Sequence, residues 1–243
     1  MKIVTTTVGA QGPESGKMNE ERLRAAKQAL EKATSLGDII VLPAGFFTAN
    51  NAQAREAIAM SLISAAKQVG IAIIFGVDQQ VKNPRTDKEI LCTRLMLPYY
   101  GYAWTPGEVE PRYWQQRSST SENQWYSSDE RCKEVRLLKI RGETLSVLMC
   151  GEIFNQRIRQ ALDNFKPRPT VVVDVAHVGS GFRVWQGMKK LAELGLPSVC
   201  SVHAQCEYAV KHCYVPPGKR LSSRLRDAYV HGPPRIELKS WPF

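Results

Sequence analysis

The chain has 243 residues, of which 43% are hydrophobic, and a formal net charge of +10 at pH 7. A chain of this length and composition can bury a large core, which excludes a disordered protein or a small disulfide-stapled domain. Its apolar runs are far shorter than the roughly 18 residues of a membrane-spanning helix, so we expect no transmembrane segment.

The charge and the cysteines narrow the class of protein further. The one tight basic cluster, GKRLSSRLRD at 218–227, carries no interleaved aromatic residues. Charge alone gives only non-specific attraction, so we interpret this cluster as a solvated surface and do not expect nucleic-acid binding. The six cysteines are scattered without the density of a disulfide framework, which favours a cytoplasmic protein.

Strand and helix patterns alternate in the first third of the chain. In order, they predict a strand at 2–8, a helix at 18–35, a strand at 38–43, a helix at 52–68 and a strand at 71–77. This alternation predicts a mixed α/β fold with a central sheet system.

The middle of the chain is less regular. Residues 90–101 predict a strand that leads into a turn, and 104–130 form a long polar segment of the kind that is usually functional or mobile. Residues 134–150 predict two strands around an Arg-Gly turn.

The last part predicts further helices and strands before an uncertain tail. The patterns indicate a helix at 155–164, a strand at 170–177, a helix at 180–194 and a strand at 198–204. From residue 205 onward the pattern predicts no clear element.

The stretch SVLMCGEIFN, residues 146–155, places a cysteine where an apolar run breaks into a turn. Cys150 can be a reactive thiol whose pKa is lowered by the dipole of helix 155–164. It can equally be a small buried hydrophobe that closes a strand. The pattern alone leaves both interpretations open.

Four segments occur in an order typical of a known family: GDIIVLPAGFFTAN, AAKQVGIAIIFGV, a tyrosine at 113 ahead of a polar loop, and LSVLMCGEIFNQRIRQAL. Together they resemble the carbon–nitrogen hydrolase (nitrilase/amidase) superfamily. The resemblance implies an α-β-β-α sandwich and a homo-oligomer. We expect a single domain over 1–243, with the resemblance clearest over 1–205 and a C-terminal tail at 206–243.

Enzymes of this superfamily use a Glu-Lys-Cys triad, in which glutamate is the base, lysine stabilises the oxyanion and cysteine attacks an amide or nitrile carbon. Matched residue by residue, the cysteine falls on Cys150, the glutamate position on Ala44, and the lysine position on Gln115, two residues after Tyr113. Losing both charged members is physically consistent, because a buried charge without its partner costs about 3–5 kcal/mol.

Other residues can take over the missing roles. Glu130 and Glu152 are candidate acid/base groups. Alternatively, Glu130 is a solvated charge in a loop, and Glu152 caps the helix start or pairs with an arginine. Arg117 is a candidate oxyanion donor or a surface arginine. His177 and His203 lie at the ends of predicted buried strands. Each is either a candidate base near neutral pH or a histidine of the core.

Two hypotheses follow. The first is an enzyme that acts on a small amide or nitrile-type substrate through Cys150, without a cofactor or metal; the His and Cys spacings in HAQCEYAVKHC match no regular zinc pattern. The second is an inactive homologue that serves as a ligand-binding or assembly module. The predicted catalytic residues are Cys150, Glu130 and Glu152, and the predicted substrate-binding residues are Ala44, Tyr113, Gln115, His177 and His203.

Overall fold

The computed structural model describes most of the chain. The described residues are 1–9, 16–79, 81–82, 89–90, 100–118, 135–178, 181–204, 213–214, 227–230 and 235–243.

Four α-helices and one short 3₁₀ helix are present in this part of the chain. They are α1 (Gly16–Ala33), α2 (Ala52–Val69), the 3₁₀ helix (Cys150–Phe154), α3 (Gln156–Asn164) and α4 (Gly181–Glu193). Helix α2 has well-formed ends, because the Asn51 side chain accepts a hydrogen bond from the Ala54 N–H and Gly70 ends the helix at φ 71°. None of these helices has the length and apolar character needed to cross a membrane.

The strands account for the rest of the regular structure. They are β1 (Lys2–Gly9), β2 (Ile39–Val41), β3 (Phe47–Ala49), β4 (Ala72–Gln79), β5 (Val81–Lys82), β6 (Glu89–Ile90), β7 (Tyr100–Trp104), β8 (Arg112–Gln115), β9 (Leu137–Ile140), β10 (Glu143–Met149), β11 (Val171–Val178), β12 (Ser198–Ala204), β13 (Cys213–Tyr214), β14 (Asp227–Val230) and β15 (Arg235–Pro242).

One hydrogen-bonded path runs through most of the strands, in the order β8-β7-β4-β2-β1-β12-β11-β10-β9. The central strands β4, β2, β1, β12, β11 and β10 pair in parallel. Strands buried on both faces read as continuous apolar runs, as in the Val171–Val173 segment of β11. The carboxyl ends of β10, β11 and β12 therefore meet at one edge, where the candidate site lies.

Three apolar clusters define the layers. The inner cluster joins the two halves of the strand path, with Val41 and Ile74 from one half and Val147 and Val173 from the other. A second cluster packs α1 and α2 on the first half, and a third packs α3 and α4 on the second half. The α-β-β-α sandwich predicted from the sequence is confirmed.

The C-terminal strand is the main element that the sequence did not predict. Strand β15 pairs antiparallel with all of β1, from Lys2 opposite Pro242 to Gly9 opposite Arg235. Its buried residues Ile236 and Leu238 alternate with partly exposed ones, but a Pro-Pro pair precedes it and hides the strand signal. Strand β8 was likewise missed inside the polar segment 104–130.

Candidate functional site

Cys150 lies on a strained turn at the carboxyl end of β10. Met149 is extended, whereas Cys150 has φ 48° and begins the 3₁₀ helix. A side chain in this left-handed region costs roughly 1–2 kcal/mol, because Cβ approaches the backbone carbonyl. Cys150 is partly exposed, although the next three residues are buried. The turn thus presents a thiol from an otherwise closed segment.

The helix dipole does not act on Cys150 as the sequence predicted. Helix α3 begins at Gln156, and the Asn155 side chain accepts hydrogen bonds from the N–H groups of Arg157 and Ile158. The 3₁₀ helix separates Cys150 from this terminus. The prediction that Cys150 lies at the N-terminus of helix 155–164 is wrong, since Asn155 caps that helix.

A buried carboxylate fixes the turn. The side chain of Glu152 is fully buried, and its two oxygens accept from two guanidinium groups. Arg136 Nη1 and Nη2 lie 2.8 and 3.0 Å from Glu152 Oε2 and Oε1, and Arg117 Nε lies 3.2 Å from Oε1. The backbone N–H groups of Arg117 and Met149 also donate to it, at 2.6 and 3.2 Å.

These contacts decide the charge of Glu152. Burial alone would raise its pKa, but the charges of Arg136 and Arg117 and the hydrogen bonds from Arg117 outweigh burial, so the pKa is lowered. The contacts favour the arginine-partner and cap interpretation of Glu152 over a proton-transfer role. Arg117 is 3% exposed, so the interpretation as a surface arginine is wrong, and its guanidinium binds Glu152.

A second buried carboxyl lies next to the same turn. Asp174 is in β11, directly opposite Leu148 of β10, and is fully buried. Neither of its oxygens accepts a well-formed hydrogen bond. Burial raises the pKa of Asp174 well above its usual range, and the charge of Glu152 raises it further, while the nearby Cys150 backbone N–H opposes this weakly. The surroundings of Asp174 therefore favour its protonated form.

Apolar packing surrounds Met149, the residue before Cys150. Ala44 is fully buried in the inner cluster, and Trp114 packs against that cluster. Trp114 and Cys150 also pack against Met149. A Cβ added to Gly101 would lie 2.8 Å from Met149 Sδ, so Met149 lies directly on the backbone of β7. The structure therefore supplies no carboxylate at position 44.

The predicted substrate-binding residues of β8 line a cavity of about 650 Å³. Both Tyr113 and Gln115 line it, and Tyr113 is 64% exposed. Cys150 and Ala44 are not among the described residues that line this cavity. From β8, it is Trp114 that packs with Cys150 against Met149.

The two histidines lie at the carboxyl ends of their strands. His177 is the penultimate residue of β11, and His203 of β12 is paired with Val178. Since Met149 is opposite Val175, the backbone of His177 lies just beyond the turn of Cys150. Glu130 lies outside the described residues. No group of three or more His, Cys, Asp or Glu side chains suited to a metal occurs in the described part of the chain, and Cys206 and His212 lie outside it.

Sequence reasoning missed two residues around the turn. Arg136 precedes β9 without a recognisable signal. Asp174 carried a signal that could have been used, because a charged residue interrupts the apolar run VVVDV.

No protein-family model matches the chain, and no curated protein matches it. Solved structures do match. The chain is similar to an amidase from Nesterenkonia sp., with 16% identity and a TM-score of 0.64 over 100% of this chain and 90% of that one. The chain is also similar to a cysteine-to-alanine mutant of the Nesterenkonia AN1 amidase from the nitrilase superfamily. Here the identity is 17% and the TM-score is 0.62, over 100% of this chain and 90% of that one.

A third structure shows a mutant of the same amidase with covalent addition of the acetamide moiety of fluoroacetamide at the active-site cysteine. It gives 16% identity and a TM-score of 0.63 over 100% of this chain and 90% of that one. These similarities define the fold of this chain as that of the nitrilase-superfamily amidases.

Proposed function

We propose that this protein is a cysteine-dependent carbon–nitrogen hydrolase that acts on a small amide or nitrile-type substrate through Cys150. The observation that carries the proposal is the left-handed backbone of a partly exposed cysteine at φ 48°. Strain of this kind persists only where the surroundings over-determine it, and it concentrates at functional sites. Here Glu152, Arg117 and Arg136 form those surroundings.

The fold supports the same chemistry. A mutant of the amidase of similar fold shows a covalent adduct at its active-site cysteine. In the resemblance drawn from the sequence, the cysteine of the superfamily falls on Cys150, which lies at a turn between a strand and a helix. A thiolate at this position can attack a carbonyl or nitrile carbon.

The proton acceptor has to differ from the glutamate of the superfamily, because Ala44 carries no ionisable group. We assign this role to His177 or His203, whose backbones lie at the same sheet edge as Cys150. A neutral imidazole accepts the thiol proton, and the thiolate then bonds to the carbonyl carbon. When the C–N bond breaks, the imidazolium returns a proton to the leaving amine. Water hydrolyses the thioester to the acid and the free thiol.

The pH dependence of alkylation by iodoacetamide, followed at each cysteine by mass spectrometry, tests this proposal. An ordinary thiol titrates near pH 8.5, so we expect Cys150 to react with an apparent pKa at or below about 7. Cys200 is an internal control, because it is a buried cysteine that forms no disulfide and is 5% exposed. We expect His177→Asn or His203→Asn to return the Cys150 profile toward that of an ordinary thiol.

Turnover is the second readout. Ammonia release from acetamide or butyramide should be abolished in Cys150→Ser and retained in Cys200→Ser. Labelling of Cys150 no faster than that of an ordinary thiol, together with no ammonia release from either amide, would contradict the proposal.

One observation favours a second candidate function, an inactive homologue that binds a ligand or assembles. Ala44 and Gln115 place uncharged side chains where the superfamily has its glutamate and its lysine, and Trp114 packs with Cys150 against Met149. In that case Cys150 is a packing residue and iodoacetamide labels it slowly. The homo-oligomer and the cytoplasmic location remain predictions of the sequence.

A further inference from the structure

The side chain of Trp114 borders both the cavity beside β8 and the turn of Cys150. It lines the cavity together with its neighbours Tyr113 and Gln115. It also packs against Met149, as Cys150 does. Met149 directly precedes Cys150 in the chain, so the indole of Trp114 is an aromatic group that the cavity and the turn have in common.

The pairing of β7 with β8 explains this position of the indole. Trp114 is directly opposite Gly101, and directly opposite residues project from the same face of a sheet. A Cβ added to Gly101 would lie 2.8 Å from Met149 Sδ and 3.0 Å from Met149 Cε. The absence of a side chain at Gly101 therefore gives the Met149 thioether the room to lie next to Trp114.

Two kinds of contact hold the indole. The guanidinium carbon of Arg136 lies 5.7 Å from the centroid of the Trp114 ring, within the range of a cation–π contact. Arg136 Nη2 also donates to the Gln115 carbonyl oxygen at 2.8 Å, which ties the strand of Trp114 to the arginine that binds Glu152. In addition, Trp114 packs against the inner apolar cluster. Trp114 is nevertheless only half-buried, so part of its surface remains open to the cavity.

The sizes of the two features indicate which one limits a ligand. A cavity of about 650 Å³ has the size of a site for a drug-sized molecule, which is far more than a small amide needs. Cys150 is not among the described residues that line it, so a molecule that enters there has to pass the side chains between the cavity and the turn. Trp114 contacts both regions and carries a large, rigid ring. We therefore expect Trp114, and not the cavity, to set the size limit.

We propose that small molecules reach Cys150 through this cavity and that Trp114 is a specificity-determining residue, which limits the group attached to the reacting carbon of the substrate to a small one. The part that concerns the substrate rests on the proposed hydrolase function. The part that concerns access to the thiol does not, because a thiol can be alkylated whether or not it takes part in turnover.

Two alkylating reagents that differ in size test this access on the full chain. Iodoacetamide and N-phenyliodoacetamide each lose iodide to the same thiolate, so the ratio of their rate constants reports steric access and not the pKa of the thiol. Mass spectrometry gives both rate constants at Cys150. We expect the folded protein to favour iodoacetamide at least about tenfold more than the urea-unfolded chain does. Trp114→Ala should reduce this preference at least about fivefold.

Phe243→Ala is the matched control for the loss of an aromatic ring. Phe243 is also half-buried and packs against the inner apolar cluster, but it is not among the described residues that line the cavity or pack against Met149. Its loss should leave the ratio unchanged. Trp114→Phe should give an intermediate ratio, because a phenyl ring still fills part of the space.

An exposed position in the cavity wall keeps the test decisive if Trp114→Ala is unstable. Ala52 is exposed and lines the cavity. Ala52→Trp therefore narrows the route without disturbing the core and should slow the reaction of Cys150 with N-phenyliodoacetamide at least about threefold. Gln53→Trp is the control, because Gln53 is exposed in the same turn of α2 and is not among the described residues that line the cavity.

The outcomes separate this proposal from the hydrolase. An unchanged reagent ratio in a folded Trp114→Ala variant, or equal rates in Ala52→Trp and Gln53→Trp, would overturn the access route and leave the hydrolase standing. An ordinary thiol pKa at Cys150 with no ammonia release would instead contradict the hydrolase, and the reagent ratio would still decide the route.

Discussion

Glu152 and Asp174 are two fully buried carboxyl groups next to the Cys150 turn, and their surroundings differ. Glu152 accepts from two guanidinium groups and two backbone N–H groups. Asp174 lies among the apolar residues under α3 and α4 without a well-formed hydrogen bond. The pKa of the first is lowered and that of the second is raised.

The difference teaches that burial does not set the charge of a carboxyl group. Desolvation is the largest influence on both pKa values, and only the supply of cations and donors reverses its effect at Glu152. Glu152 thereby anchors the turn as a charged group. The raised pKa of Asp174 costs folding free energy at neutral pH, because the unfolded chain releases that proton more readily.

The largest expected effect on stability comes from removing the ion pairs of Glu152. Glu152→Gln leaves Arg117 and Arg136 buried without their carboxylate, so we expect a loss of about 3–5 kcal/mol in the free energy of unfolding. Urea unfolding followed by circular dichroism measures it.

Glu56→Gln is the control for this change. Glu56 also pairs with an arginine, but its side chain is 50% exposed, so the loss should stay below about 1 kcal/mol. Equal losses at the two positions would show that the ion pairs of Glu152 with Arg117 and Arg136 contribute no more than an exposed ion pair.

A change of opposite sign in the free energy of unfolding is expected at Asp174, whose pKa is raised. Asp174→Asn keeps the shape and removes the ionisation, so we expect a gain in the free energy of unfolding at neutral pH, because the folded-state pKa of Asp174 is raised. The gain should vanish below about pH 4, where the carboxyl is protonated in both the folded and unfolded chain. It should grow as the pH rises toward the folded pKa, which is the sign for a carboxyl whose folded pKa is raised.

Urea unfolding of both proteins between pH 3 and pH 8 measures this difference. Asp163→Asn is the control, since Asp163 pairs with Arg168 near the surface. A gain that does not change with pH, or a loss at every pH, would mean that Asp174 is ionised in the folded protein.

Much of the fold could be predicted because the parallel strands and the helices carry strong periodic signals. Residues 52–68 and 198–204 were predicted within one residue of the observed α2 and β12. Strand β15 could not be predicted with the same confidence, since its pairing with β1 joins the two ends of the chain. A local pattern contains no information on such a partner.

The site was less predictable for a related reason. The sequence indicated the turn at Cys150, which the structure contains. It could not show that Arg117 and Arg136, 35 and 16 residues before Glu152, converge on that carboxylate. It also could not show which face of β8 meets Met149, because strand bounds inside a polar segment are poorly defined.

The smallest expected effect on stability concerns the backbone strain at Cys150, next to Glu152 and Asp174. Glycine adopts the left-handed region freely, so Cys150→Gly should be more stable than Cys150→Ala by about 1 kcal/mol. Cys200 provides the reverse case: its φ is not positive, it lies inside β12, and there alanine should be the more stable replacement. Urea unfolding of the four variants gives both differences. If alanine is the better residue at position 150 as well, the turn relaxes without cost, and the strained cysteine no longer supports a nucleophile at this position.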